Sequence, residues 1–415
     1  MKTLAWGLAG ANTPAMQRPR ATVVFALVAF AACANTASRN APPGGGDGGS
    51  PSGGPASLDA ATDAAADATP PIAADASPAA PDASPDEPRL GWPEDEDLAG
   101  IYATIDMVAA PTFRKLLAQI AANGMNAVVV DGKDYQGWLT YPSSIPLATA
   151  IHASHKVVQS LPDLVHDAHQ RGLRVLLRVA CFHDPWTAQR RPDLAITGVK
   201  DWIDPNKPAV QDYLLAVIGE TLSAGIDEIQ LDYVRYPTEG IGRADFALGG
   251  KKTTDVITGF VQRVHERTAA AGVPLSLDIF GVVAWQRAVD VKATGQDLTS
   301  LGAVVEAISP MVYPSHFREG FNGYAVPGAH PEVVGFGTKQ AVDVLKKAGS
   351  KALVRPWIQA FPWHAPGYDS SYVIREIAQA RAADGVGWLG WNAGGYYGEV
   401  MAASWATRMA PKARR

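Results

Sequence analysis

The sequence predicts a single (β/α)8 barrel, an α/β fold, preceded by a signal segment and a disordered linker. Three observations carry that expectation. Between Gly100 and Asn392, short apolar runs and amphipathic segments alternate eight times. The stretch has about 290 residues, the usual length of one such barrel. Connections before strands are short, as in Arg171-Gly172 and Ala271-Gly272-Val273, while several that follow strands are long. Long loops at one face are the mark of a barrel that carries a site there.

The strands are expected at Gly100–Asp106, Asn126–Asp131, Leu173–Val179, Asp227–Tyr233, Pro274–Phe280, Ala307–Tyr313, Leu353–Ala360 and Gly387–Asn392. Helices are expected over Pro111–Ala122, Leu161–Arg171, Pro208–Ala224, Thr253–Ala270, Leu298–Val305, Pro331–Ala348 and Ser371–Ala383. A doubly wound open sheet would alternate in the same way. It usually has fewer strands, and no Gly-rich phosphate turn stands at the right place here.

Ahead of the barrel the texture differs. Arg18 and Arg20 precede an apolar run, Ala21–Ala32, too short to span a bilayer, so residues 1–33 read as an export signal with Met16 as an alternative start. Phe30-Ala31-Ala32-Cys33 resembles a lipobox, which would make Cys33 the lipidated residue of a lipoprotein. Ala32-Cys33-Ala34 also fits plain signal cleavage. Cys181 is the other cysteine of the chain and falls at the third strand, so no disulfide is expected. Residues 34–90 are Gly, Pro, Ala, Ser and Asp with little to bury, and read as a tether without fixed structure. The barrel domain is expected over 98–400, with a tail at 401–415.

Composition narrows the partners. With 47% apolar and 19% charged residues the chain suits a globular core, and a net charge of −5 offers no basic field for nucleic acid. Contact with a membrane is expected only through an N-terminal lipid anchor. The 11 Trp and 12 Tyr give core material and flat faces for stacking.

Strand parity then places the polar residues. Alternate residues of a barrel strand face the axis. In the fourth strand Ile229 and Leu231 face outward, so Glu228, Gln230 and Asp232 point in. The same count gives Tyr102, Thr104 and Asp106, then Asp131 and Lys133, then Arg178. It continues with Ser276 and Asp278, with Ser309, Met311 and Tyr313, and with Arg355, Trp357 and Gln359. Buried carboxylates need partners, and mutual satisfaction inside the barrel would explain any one of them. A ring of them at one face points instead to chemistry. Asp232 and Asp278 end adjacent strands, and two carboxyls flanking a bond are the minimal equipment for cleaving an acetal. Arg178 or Arg355 would keep one ionised while burial keeps the other protonated.

Four segments carry a resemblance: Asp131-Gly132-Lys133-Asp134, Asp227 to Pro237, Ile308 to His316, and Arg355 to Phe361. Together they resemble a bacterial family of glycoside-hydrolase-like domains over about Gly100–Tyr397, distantly similar to the α-amylase and α-galactosidase groups. The resemblance implies a barrel with the nucleophile at the end of the fourth strand, matched by Asp232. It implies a proton donor on a later strand, best fitted by Asp278, although an Asp stands where the amylase pattern has Glu. The substrate-assisted chitinase pattern is not met, because Val234 occupies the required position.

The expectation is therefore a retaining glycosidase. Asp106, Asp131, Lys133, Arg178, Gln230, Arg235, Tyr313, His316, Arg355, Trp357, Gln359, Trp391 and Asn392 would surround the sugar. The alternative is a non-catalytic carbohydrate- or envelope-binding barrel, and a third reading is attack on another envelope polymer. His166 and His169 read as a solvated helix face, no spacing resembles a metal set, and no cofactor is expected.

Overall fold

The computed structural model describes residues 89–92, 97–155, 160–238 and 246–408. The expected signal segment, Cys33 and nearly all of the expected tether lie outside the described residues. Nine parallel β segments form one sheet: β1 Leu98–Ala103, β2 Ala127–Lys133, β3 Arg174–Ala180, β4 Glu228–Asp232, β5 Leu275–Ile279, β6 Ala307–Pro310, β7 Leu353–Val354, β8 Trp357–Gln359 and β9 Gly387–Trp391. Their order is β7-β6-β5-β4-β3-β2-β1-β9-β8.

The two ends of that order are halves of one strand. Pro356 has no N–H to give, so the ladder is broken there. Before the break Val354 pairs with Ile308 of β6, and after it Trp357 pairs with Leu389 of β9. A further bridge joins Met311 to Trp357. The ring thus closes as eight strands, as expected.

The principal helices are α1 Phe113–Ala122, α2 Leu161–His169, α3 Pro208–Leu222, α4 Thr253–Ala270, α5 Leu298–Leu301, α6 Glu332–Lys347, α7 Ser370–Ala382 and α8 Gly398–Arg408. The longer helices turn apolar faces toward the core, as Phe113, Leu117 and Ile120 do in α1. Side-chain caps fix several starts: Asp369 accepts from the Tyr372 N–H, and Ser160 from that of Asp163. Residues 401–408, expected as tail, are part of α8. The helix expected over Leu298–Val305 is only one turn, Leu298–Leu301, capped by Asp297.

Two cores follow from strand parity. Val128 and Val130 join the large core between sheet and helices, while Val129 joins an inner set with Leu98, Tyr102, Leu176, Tyr313, Trp357 and Leu389. Gly387 shows how tightly the ring is drawn. At φ +97° a Cβ there would lie 1.9 Å from the Leu98 carbonyl oxygen.

The amino-terminal end of the barrel is plugged. Arg89, expected in the tether, donates to the carbonyls of Ile226, Ala271 and Leu222. The Leu90 N–H donates to Asp227, whose other oxygen binds His169 and the Val175 N–H. His169 therefore does not lie on a solvated face: it is buried, 2.8 Å from Asp227.

Candidate active site

At the carboxyl end of the strands, Arg178 of β3 is held between two carboxylates. Its Nη1 lies 2.5 Å from Oδ1 of Asp131, while Nη2 and Nε donate to Oδ2 of Asp232 at 2.7 and 3.0 Å. Register explains the meeting, because Asp131 pairs with Arg178 and Arg178 with Gln230, two residues before Asp232. Tyr102 of β1 adds its hydroxyl, 2.5 Å from Oδ2 of Asp131. Burial raises the Asp131 pKa, and Arg178 and Tyr102 oppose that rise.

Asp232 takes a third bond, from the Tyr233 N–H at 2.6 Å to Oδ1. Tyr233 holds φ at +51°, a left-handed backbone that costs free energy in a bulky residue. Strain of this kind immediately after a candidate nucleophile fits a strand end shaped for function. No residue pattern announces it in the sequence.

Asp278 ends β5 in a different setting. Its Oδ1 accepts from Trp357 Nε1 at 2.7 Å and from Gln230 Nε2 at 2.9 Å. Its Oδ2 is buried without a partner among the described residues, as are Gln230 Oε1 and Ser309 Oγ. Burial, then the charge of Asp232, pushes the Asp278 pKa well above the ordinary carboxylate range. Asp232 is thus bonded to a guanidinium, while burial favours its neighbour Asp278 as a neutral acid. Asp232 remains 6% exposed and Asp278 1%, so neighbouring side chains cover both carboxyls. Burial and the charges of Asp278 and Asp232 also raise the pKa of Tyr313, whose ring stacks on Trp391 at 5.3 Å.

Other expected residues sit elsewhere or are already engaged. Arg355 faces inward but lies at the opposite end of the barrel, paired with Glu228, the first residue of β4, and with its guanidinium carbon 5.6 Å from the ring centroid of Trp92. Ser276 donates to the same Glu228, making a polar floor rather than a sugar contact. Asp106 is exposed, because β1 stops at Ala103 and Thr104 caps a short helix, Ile105–Ala109.

Lys133 is fully buried, 2.9 Å from Asp184 and 2.8 Å from the Ala180 carbonyl, so it joins loops instead of reaching solvent. Gln359 accepts from the Ser315 N–H and donates to the carbonyls of Phe361 and Trp363. Asn392 donates to the carbonyls of Ala360 and Tyr396 and accepts from the Gly394 N–H. Both brace the mouth loops. Arg235 packs against the rings of Trp202 and Phe280, each 4.9 Å away, and donates to the Tyr236 carbonyl. His316 packs against Tyr313 and Trp363, and burial lowers its pKa to about 4. Asp184 follows the third strand, where the sequence places it in a loop that could contact substrate; the structure buries it instead. It pairs with Lys133 across 51 positions of sequence, which leaves no local pattern.

Comparison with known proteins agrees with this fold. A family model described as a "putative glycosyl hydrolase domain" matches residues 100–397. No curated protein matches the sequence significantly. Among solved structures, the PgaB (BpsB) glycoside hydrolase domain from Bordetella bronchiseptica is similar at TM-score 0.53 and 12% identity, over 72% of this chain and 94% of that one. Alpha-L-fucosidase isoenzyme 2 from Paenibacillus thiaminolyticus is similar at TM-score 0.52 and 14% identity, over 75% and 49%. An endo-1,4-beta-D-mannanase from Thermotoga petrophila RKU-1 is similar at TM-score 0.50 and 13% identity, over 72% and 92%. At these identities the likeness is one of fold.

Proposed function

We propose, from the premise that the chain belongs to this glycosyl hydrolase family, that it cleaves glycosidic bonds at the barrel mouth with Asp232 and Asp278. The observation that carries the reading is the pair's division. Asp278 is pushed toward its protonated form beside an Asp232 carboxylate that is bonded to Arg178. Asp232 attacks the anomeric carbon while Asp278 gives its proton to the leaving oxygen, breaking the glycosidic bond and forming a glycosyl ester. Asp278, now a carboxylate, takes a proton from water, which opens that ester with retention. Arg178 holds Asp232 in place, and Tyr102 with Asp131 holds Arg178.

The test is a screen of purified protein against bacterial and plant polysaccharides, followed by Asp232→Asn. Loss of about three orders of magnitude or more in kcat/KM is expected. Cleavage at the full rate by the variant would rule the assignment out.

One observation favours the alternative of a binding barrel without catalysis, namely the covering of Asp278 in this state. That reading predicts glycan binding with no product from any glycan and no change in affinity on Asp278→Asn.

For location, the reading is export and tethering at the cell envelope, with Cys33 acylated. Labelled palmitate incorporated by the wild-type chain and lost in Cys33→Ser would support it; equal labelling would refute it.

A further inference from the structure

We propose that the mouth binds the interior of a long neutral or amino-sugar chain laid between two aromatic clusters, rather than a chain end held in a closed pocket. This rests on the glycosidase reading for its chemistry, but its own support is separate. One cluster stands on the loops after β2, β3 and β4. Tyr135, 38% exposed, stacks on His183, which lies 5.0 Å from Tyr233. The other cluster stands on the loops after β6, β8 and β9. There Trp363, 51% exposed, lies 5.4 Å from His316, and Tyr396 is 84% exposed.

In the closed ring, β3 is diametrically opposite the strand made of β7 and β8, with β1 and β5 on the flanks. Strand spacing and tilt give an eight-stranded ring a diameter of about 15 Å, several times the width of one pyranose. A ligand touching both clusters is therefore an oligomer, and it crosses the mouth into which the ends of β4 and β5 carry Asp232 and Asp278. Exposed aromatic faces of this size are what sugar rings stack on.

The charge pattern narrows the sugar. Two cations at these strand ends are already committed, Lys133 to Asp184 and Arg178 to Asp131 and Asp232. Asp131 and Asp232 together outnumber the one guanidinium they share, and that excess of negative charge suits uncharged or amino-bearing residues and disfavours uronates.

Affinity electrophoresis of the full chain carrying Asp278→Asn, which removes the acid and keeps the charges of Asp131 and Asp232, in gels containing glucomannan, partially deacetylated chitin or polygalacturonate, tests this. Retardation by one of the first two and not by polygalacturonate is expected. Trp363→Ala and Tyr135→Ala should each weaken binding about tenfold, with melting temperature unchanged. The double variant should weaken it further, and disaccharides should compete poorly. Binding insensitive to both substitutions, equal competition by a disaccharide, preference for polygalacturonate, or no retardation by any polymer would overturn the inference. The glycosidase reading is scored separately, by product formation with wild-type protein on the same polymers and on aryl monoglycosides.

Discussion

Trp357 Nε1 donates to Asp278 Oδ1 at 2.7 Å, reaching from β8 past β6 to β5. The bond occupies one carboxyl oxygen and leaves Oδ2 to carry the proton. It also favours the ionised form, and so moderates the rise that burial imposes on the Asp278 pKa. Trp357→Phe should therefore raise that pKa further and move the basic limb of the pH–activity profile to higher pH. Stability should fall by about 1–3 kcal/mol, the usual cost of unpairing a buried polar group. An unmoved basic limb would show that Asp278 is not the acid.

Asp278 also couples stability to pH. Burial lifts its folded-state pKa above the ordinary value of 3.8, so the native protein keeps a proton that the unfolded chain releases. Its contribution is complete below the unfolded value and is lost as pH rises through the folded one. Asp278→Asn removes this slope. Chemical denaturation from pH 4 to pH 8 should show the wild type losing more stability with rising pH than the variant. Parallel curves would contradict the assignment.

Lys133 and Asp184 form a wholly buried ion pair. Removing one charge strands the other, so Lys133→Met should cost about 3–5 kcal/mol. Asp184 also binds the N–H and hydroxyl of Thr187, at 2.7 and 2.9 Å. Adding Asp184→Asn to Lys133→Met should recover part of the loss while retaining that cap. Urea midpoints of the three proteins would check the order.

Tyr102→Phe removes the hydroxyl that shares Asp131 with Arg178. The fold should survive with a loss of about 1–2 kcal/mol. If the Tyr102–Asp131–Arg178 chain positions Asp232, kcat should fall more than KM rises. A change confined to KM would place Tyr102 in ground-state binding.

Parity made the direction of side chains legible in the sequence, but not their depth. Asp131, Arg178, Gln230, Asp232, Asp278, Tyr313 and Trp357 lie at one end, as a period of two with register near the strand ends predicts. Arg355 obeys the same parity and still sits on the floor, because the break at Pro356 places it low in its strand. Asp106 was misplaced because a Thr cap ended β1 early, and capping outweighed the continuing pattern. Gln359 and Asn392 have the chemistry of sugar ligands, yet backbone groups of neighbouring loops consume it. His169 looked solvated because its partner, Asp227, is 58 residues away.

The bonds of Arg89 and Leu90 at the floor have a practical consequence. The polypeptide enters the barrel at the end remote from the mouth. A carrier, dye or solid support joined upstream of Arg89 would leave the strand ends facing solution, whereas one inserted after β2, β3 or β9 would obstruct them. Trimming the chain past Arg89 would in turn uncover the carbonyls of Ile226, Ala271 and Leu222, so a truncated version intended for immobilisation should begin before that arginine.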